Sequence, residues 1–86
     1  MNTVNQTTLN EPTPLHTHVE HAVHRYFEAL DGEEINNMYD IFLAEMERPL
    51  LIATLKHTRG NQSKTAQLLG LNRGTLRTKL KTYGLL

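Results

Sequence analysis

Three residues, Gly70-Leu71-Asn72, separate two short segments of helical period, and this spacing restricts the C-terminal part of the chain more than any other feature. From Arg59 the sequence reads RGNQSKTAQLLGLNRGTLRTKLKTYG. Asn61 is a natural N-cap for the first segment, and Gly70 is a natural stop because glycine takes the left-handed conformation without a steric penalty. Ala66 and Leu69 then face inward. The second helix runs from about residue 73 to 83, with Gly84 just past its end. So short a link, containing glycine, makes the pair a helix-turn-helix.

Helical projection gives the last helix three faces. Leu76, Leu80 and Tyr83 fall together as its inner face. Arg73, Arg77 and Lys81, spaced i, i+4, i+8, flank one side, and Thr75 and Lys79 flank the other. Gly74, Thr78 and Thr82 lie outermost. A helix with a small residue near its start and a row of bases on either side suits insertion into the major groove of double-stranded DNA.

Charge along the chain agrees. The formal net charge is zero, yet residues 1–55 hold all nine acids and only Arg25 and Arg48, a balance of −7. Residues 56–86 hold Lys56, Arg59, Lys64, Arg73, Arg77, Lys79 and Lys81 and no acid, a balance of +7. Such asymmetry points to a polyanion partner. A merely solvated basic face would leave the complete lack of acids unexplained.

By reach and chemistry, Arg73 is the residue for direct readout, since its planar fork matches guanine O6 and N7. Asn72 either caps the last helix or contacts a base, and capping is the stronger expectation. Asn61 and Ser63 stand at a helix N-terminus, whose free amides suit a phosphate. Thr75, Arg77, Lys79 and Lys81 are further phosphate candidates.

The first half reads as two longer helices behind a polar arm, residues 1–12, that shows no clear period and is expected to be mobile. Thr13-Pro14 suggests an N-cap followed by proline at the first helical position. Val19, Ala22, Val23, Tyr26, Phe27 and Leu30 form one apolar stripe, closed by Asp31-Gly32. A second apolar series begins near Asn36 or Asn37 and runs through Met38, Ile41, Phe42, Leu43, Met46, Leu50, Leu51 and Leu55. Pro49 interrupts it, so the helix either ends near Arg48 or continues with a kink. Continuation is favoured, because the apolar period resumes without a cluster of loop residues. These helices carry more apolar surface than 86 residues can cover alone, and a homodimer is the economical solution. The expected organisation is an arm at 1–12, dimerisation helices at 13–58 and the helix-turn-helix at 59–86.

Other classes find little support. The absence of cysteine excludes disulfides and thiolate metal sites. His16, His18, His21 and His24 are read as a solvated face, with pH-sensitive association as the alternative, and no metal or other cofactor is expected. Gly60-Asn61-Gln62-Ser63-Lys64-Thr65 only faintly echoes a phosphate-binding loop, lacking its glycine spacing and preceding strand. No acid pair or serine-histidine-acid set suggests an enzyme. No segment is apolar enough for a membrane span, and a cytoplasmic protein is expected.

The segments VEHAVHRYF, ALDGEEINNMYDIFLAEMERPLL and TRGNQSKTAQLLGLNRGTLRTKLKTYG resemble the Fis family, the bacterial factor for inversion stimulation, over about residues 15 to 84. NRGTLR followed by KL and YG is the most specific part. The resemblance implies an all-α fold of four helices per subunit, with two forming an intertwined homodimer core and two a DNA-binding unit. It implies a nucleoid-associated transcriptional regulator that bends AT-rich DNA, because recognition helices in that family lie closer together than one DNA turn. The implied contacts are Asn61, Ser63, Asn72, Arg73, Thr75, Arg77, Lys79 and Lys81. Thr78 and Thr82 stand where better-known relatives carry lysine, so a weaker grip is expected. The arm is shorter than the family's β-hairpin arm, and a site-specific recombinase is not predicted as a partner. A similar module serves as the output domain of NtrC-type activators. An 86-residue chain opening on methionine is expected to stand alone instead. A protein-interaction dimer acting through its acidic half is a further alternative, and it leaves the basic half without a role.

Overall fold

The computed structural model describes residues 13–86, so the arm expected at 1–12 lies outside the described residues. Four helices follow in order: α1 (Leu15–Leu30), α2 (Met38–His57), α3 (Gln62–Leu69) and α4 (Arg73–Thr82). There is no strand among the described residues, and the fold is all-α. None of these helices is long and apolar enough to cross a membrane.

The chain divides into two compact units, one running to Asn36 and the other from Asn37 to Leu86. The division differs from the boundary expected at residues 58 and 59. Its cause is Leu51 of α2, which is fully buried in one cluster with Ala66 of α3 and with Leu76 and Leu80 of α4. α2 therefore belongs to the same packed body as the helix-turn-helix. Leu55, Leu69, Leu71, Tyr83 and Leu85 pack around that cluster. Burying a leucine side chain contributes roughly 1.5–3 kcal/mol, so these few residues supply most of what holds three helices together.

In the first unit, α1 starts one residue later than expected. Pro14 takes the cap position itself (φ −60°, ψ 154°), and its carbonyl accepts from the amides of Thr17 at 3.1 Å and His18 at 3.3 Å. Thr13 is then too far from the first turn to cap it, and α1 has no side-chain cap. At the other end Asp31 and Gly32 both take positive φ, as the Asp-Gly stop requires. No residue of α1 is buried, and Leu15 and Phe27 are 68% and 53% exposed.

In the second unit, α2 continues through Pro49 to His57, as its apolar period suggests. α2, α3 and α4 then end in one way. The amides of Gly60, Leu71 and Leu85 reach back to the carbonyls of Leu55, Ala66 and Leu80 at 2.8, 2.9 and 2.8 Å. Those of Arg59, Gly70 and Gly84 bond Lys56, Gln67 and Lys81. These are Schellman closures. At the left-handed position Gly70 and Gly84 are suited, whereas Arg59 adopts φ 57° as a non-glycine residue. Leu71 and Leu85 leave their closures directly into the core, which turns each helix end into a packing contact.

Candidate nucleic-acid interface

Both helix starts expected for the helix-turn-helix are capped by the expected asparagines. The Asn61 side chain accepts from the Lys64 amide at 2.9 Å. The Asn72 side chain accepts from the amides of Gly74 at 2.7 Å and Thr75 at 3.3 Å, so capping is the role it fills here. A Cβ at Gly74 would stand 3.1 Å from Asn72 Oδ1, tighter than ordinary contact. The small residue near the start of α4 therefore makes room for the cap.

Leu76 and Leu80 are buried and Tyr83 half-buried, which fixes the inner face of α4 as projected. Arg73, Thr75, Arg77 and Lys81 are exposed, as are Gly74, Thr78 and Thr82 between them. Arg73 and Lys81 make no side-chain hydrogen bond or ion pair with any described residue. Arg77 donates to Gln62 Oε1 at 3.0 Å, which ties the first turn of α3 to the middle of α4. Asn61 and Ser63, both exposed, flank Gln62 in that turn. α3 and α4 thus expose cationic and polar side chains and carry no acid.

Lys79 is placed differently from the other bases. Its Nζ lies 2.7 Å from Glu47 Oε2 on α2, and the two side chains are 32% and 14% exposed. The second Glu47 oxygen accepts from the Tyr83 hydroxyl at 2.7 Å. Hydrogen bonds from Lys79 and then Tyr83 hold the Glu47 carboxyl below the usual glutamate range, against the opposing effect of burial. The Glu47 hydrogen bond in turn raises the Tyr83 phenol above its ordinary value. Beside it, Arg48 Nη1 donates to the Tyr83 carbonyl at 2.7 Å.

Glu47, Arg48 and Gln62 are thus contributors that helical projection of the last two helices does not reveal. One signal was available for Glu47: it stands one turn before buried Leu51 and two before Leu55, on the inward face of α2. An acid on such a face needs a partner. The histidines of α1, His16, His18, His21 and His24, are exposed, and no group of three or more potential metal ligands converges among the described residues.

Comparison with known proteins places nearly the whole chain. Residues 42–83 match the family described as "Bacterial regulatory protein, Fis family", and residues 1–35 match "DNA-binding protein Fis N-terminal domain". The chain is 46% identical over 85 residues to the DNA-binding protein Fis of Sodalis glossinidius, covering 99% of this chain and 87% of that one. It is 47% identical over 83 residues to the protein of that name from Proteus mirabilis, covering 96% and 85%. Against the one from Escherichia coli O1:K1 the identity is 45% over 85 residues, covering 99% and 87%.

Proposed function

The chain belongs to the Fis family of bacterial regulatory proteins, and from that membership we propose that it is a homodimeric regulator that binds and bends AT-rich duplex DNA with degenerate preference. The family is one of DNA-binding regulators and not of enzymes. The observation that carries the reading is the exposed face of α4, which offers Arg73, Thr75, Arg77 and Lys81 to solvent while Leu76 and Leu80 anchor its opposite side. In this reading α4 lies in the major groove. Arg73, in its first turn and without an internal partner, reads base edges. Asn61 and Ser63 present the α3 N-terminus to a phosphate, and Thr75, Arg77 and Lys81 grip the groove walls. Asn72 keeps its oxygen for the cap and has its amide N–H groups to offer DNA. Lys79, neutralised by Glu47, is left out of the contact set.

The apolar stripe of α1 and the exposed Met46 and Leu50 of α2 support a second copy as the partner that covers them. Two copies of α4 spaced by less than one DNA turn reach successive grooves only on a curved duplex. Action on the nucleoid, in the cytoplasm, follows from that activity.

Gel-shift titration at several salt concentrations tests the reading. Affinity should fall steeply with salt, and Arg73→Ala should weaken specific binding by about tenfold or more. Salt-independent binding, or an Arg73→Ala variant that binds as the parent does, would overturn the interface. Sedimentation that finds a folded monomer at micromolar concentration would overturn the dimer, and circularly permuted duplexes with equal mobility would overturn bending.

A further inference from the structure

Leu76 and Leu80 choose the face that α4 turns to its neighbours, but apolar contact is non-directional and does not by itself fix the finer angle about the helix axis. The Asn72 cap does not fix it either, because both its bonds are to α4's own backbone. Besides the bond from Arg77 to Gln62, two consecutive residues of α2 make hydrogen bonds to α4 and its C-cap. Glu47 Oε2 holds Lys79 Nζ, Glu47 Oε1 accepts from the Tyr83 hydroxyl, and Arg48 donates to the Tyr83 carbonyl, each at 2.7 Å. Lys79 and Tyr83 are one helical turn apart on the same side. One carboxylate that uses a different oxygen for each restrains that finer angle, since a rotation small enough to leave Leu76 and Leu80 inward still stretches both bonds.

We propose that Glu47 is the positioning residue of the interface, setting the rotation of α4 with help from Arg48, and that Lys79 serves this clamp and not a DNA phosphate. The proposal rests on the reading of α4 as the groove-facing helix. Lys79 and Glu47 together carry no net charge, so the pair adds nothing to the attraction for a polyanion. Moving Lys79 to a phosphate would strand a largely buried carboxylate on one remaining partner, Tyr83. A groove-reading helix needs its side chains held at fixed angles to the base edges, and the clamp supplies that restraint from a residue that touches no DNA.

Binding is measured by fluorescence anisotropy across a salt series, on a preferred AT-rich duplex and on an unrelated one, for the parent and for Lys81→Met, Lys79→Met, Glu47→Gln and Tyr83→Phe. Lys81→Met reports what losing a phosphate contact does, a log K against log salt slope shallower by about one. Lys79→Met should leave the slope at its parental value while the preference between duplexes falls by about tenfold, as the competent orientation becomes a minor one. Glu47→Gln should also lose preference, yet bind the unrelated duplex more tightly with a steeper slope, because it frees a cation. A merely structural role would lower both affinities together. Tyr83→Phe keeps the ion pair, and should lose about threefold in preference at parental slope. It carries the test if the other two variants fail to fold. A Lys79→Met slope shallower by about one makes Lys79 a phosphate contact and overturns the proposal, as does unchanged preference in Glu47→Gln or, if that variant does not fold, in Tyr83→Phe. Failure of the underlying reading looks different: the parent itself then shows no salt-dependent binding, or Arg73→Ala is silent.

Discussion

The hydroxyls of Thr58 and Thr65 lie 2.7 Å apart across the turn between α2 and α3. Thr65 is 0% exposed, the only buried polar residue among those described. Thr65 Oγ1 also lies 2.8 Å from the Asn61 carbonyl, to which it can donate, and either hydroxyl can be the donor between the two. Thr65→Val keeps the shape and removes both bonds. The Asn61 carbonyl retains the residue-65 amide, and the Thr58 hydroxyl has the Leu55 and Asn61 carbonyls at 3.2 Å as substitutes. The expected loss is about 1 kcal/mol, read from urea midpoints at one fixed protomer concentration. A loss above about 3 kcal/mol would show that the turn depends on this pair for its geometry.

Asn72 allows capping and DNA contact to be separated. Aspartate caps as well as asparagine and also suits the positive end of α4, so Asn72→Asp should hold its melting temperature. The same change sets a carboxylate beside Arg73 on the surface assigned to DNA, and affinity should drop at least about tenfold. Asn72→Ala removes the cap and should cost about 1 kcal/mol of stability. Asn72→Asp with parental DNA affinity would place the start of α4 away from the duplex.

What the sequence made legible, and what it did not, divides by the range of the interaction. Asn61, Gly70, Asn72 and Gly84 act on neighbours within a few residues, and each stands at the helix end its identity suggests. The passage of α2 through Pro49 was legible because the apolar period survives the proline. The start of α1 reads one residue early in the sequence, since Pro14 has much the same φ whether it caps a helix or begins one. The projection placed Lys79 on the correct side of α4, but periodicity does not say what stands across from that side. Glu47, separated from Lys79 by 32 residues and from Tyr83 by 36, is brought there only by the crossing of α2 and α4. Thr65 is not legible, because a threonine inside an amphipathic helix gives no sign that its hydroxyl has a partner seven residues earlier.

Glu47 also gives stability a pH dependence. Its folded-state value is lowered from 4.5, first by Lys79 and then by Tyr83, so the folded state releases this proton more readily than the unfolded chain. The resulting stability is complete above about 4.5 and is lost as pH falls from there through the lowered folded value. Tyr83, raised from 10.0 by its bond to Glu47, contributes stability below about 10 that is lost as pH rises through its raised value. Thermal melts between about pH 3 and 6 should show a shallower acid limb for Glu47→Gln than for the parent. Parallel curves would mean that Glu47 titrates alike in both states.

Thr78 and Thr82 supply the remaining prediction. Both hydroxyls donate to the carbonyl one turn back, Thr78 to Gly74 at 3.1 Å and Thr82 to Thr78 at 3.0 Å. They are thus satisfied within α4 and offer no charge on its outermost face. Replacing both with lysine removes bonds that tend to bend a helix and introduces a better helix former, so stability should hold or rise by some tenths of a kcal/mol per site. If the outer face of α4 meets the phosphate walls, the double variant should bind more tightly, with a salt slope steeper by about one for each lysine that reaches a phosphate. Its preference between duplexes should not increase, because phosphate contacts carry no sequence information. An unchanged slope in a variant that melts like the parent would mean that this face of α4 points away from the duplex, and the orientation assigned to the helix would have to be turned accordingly.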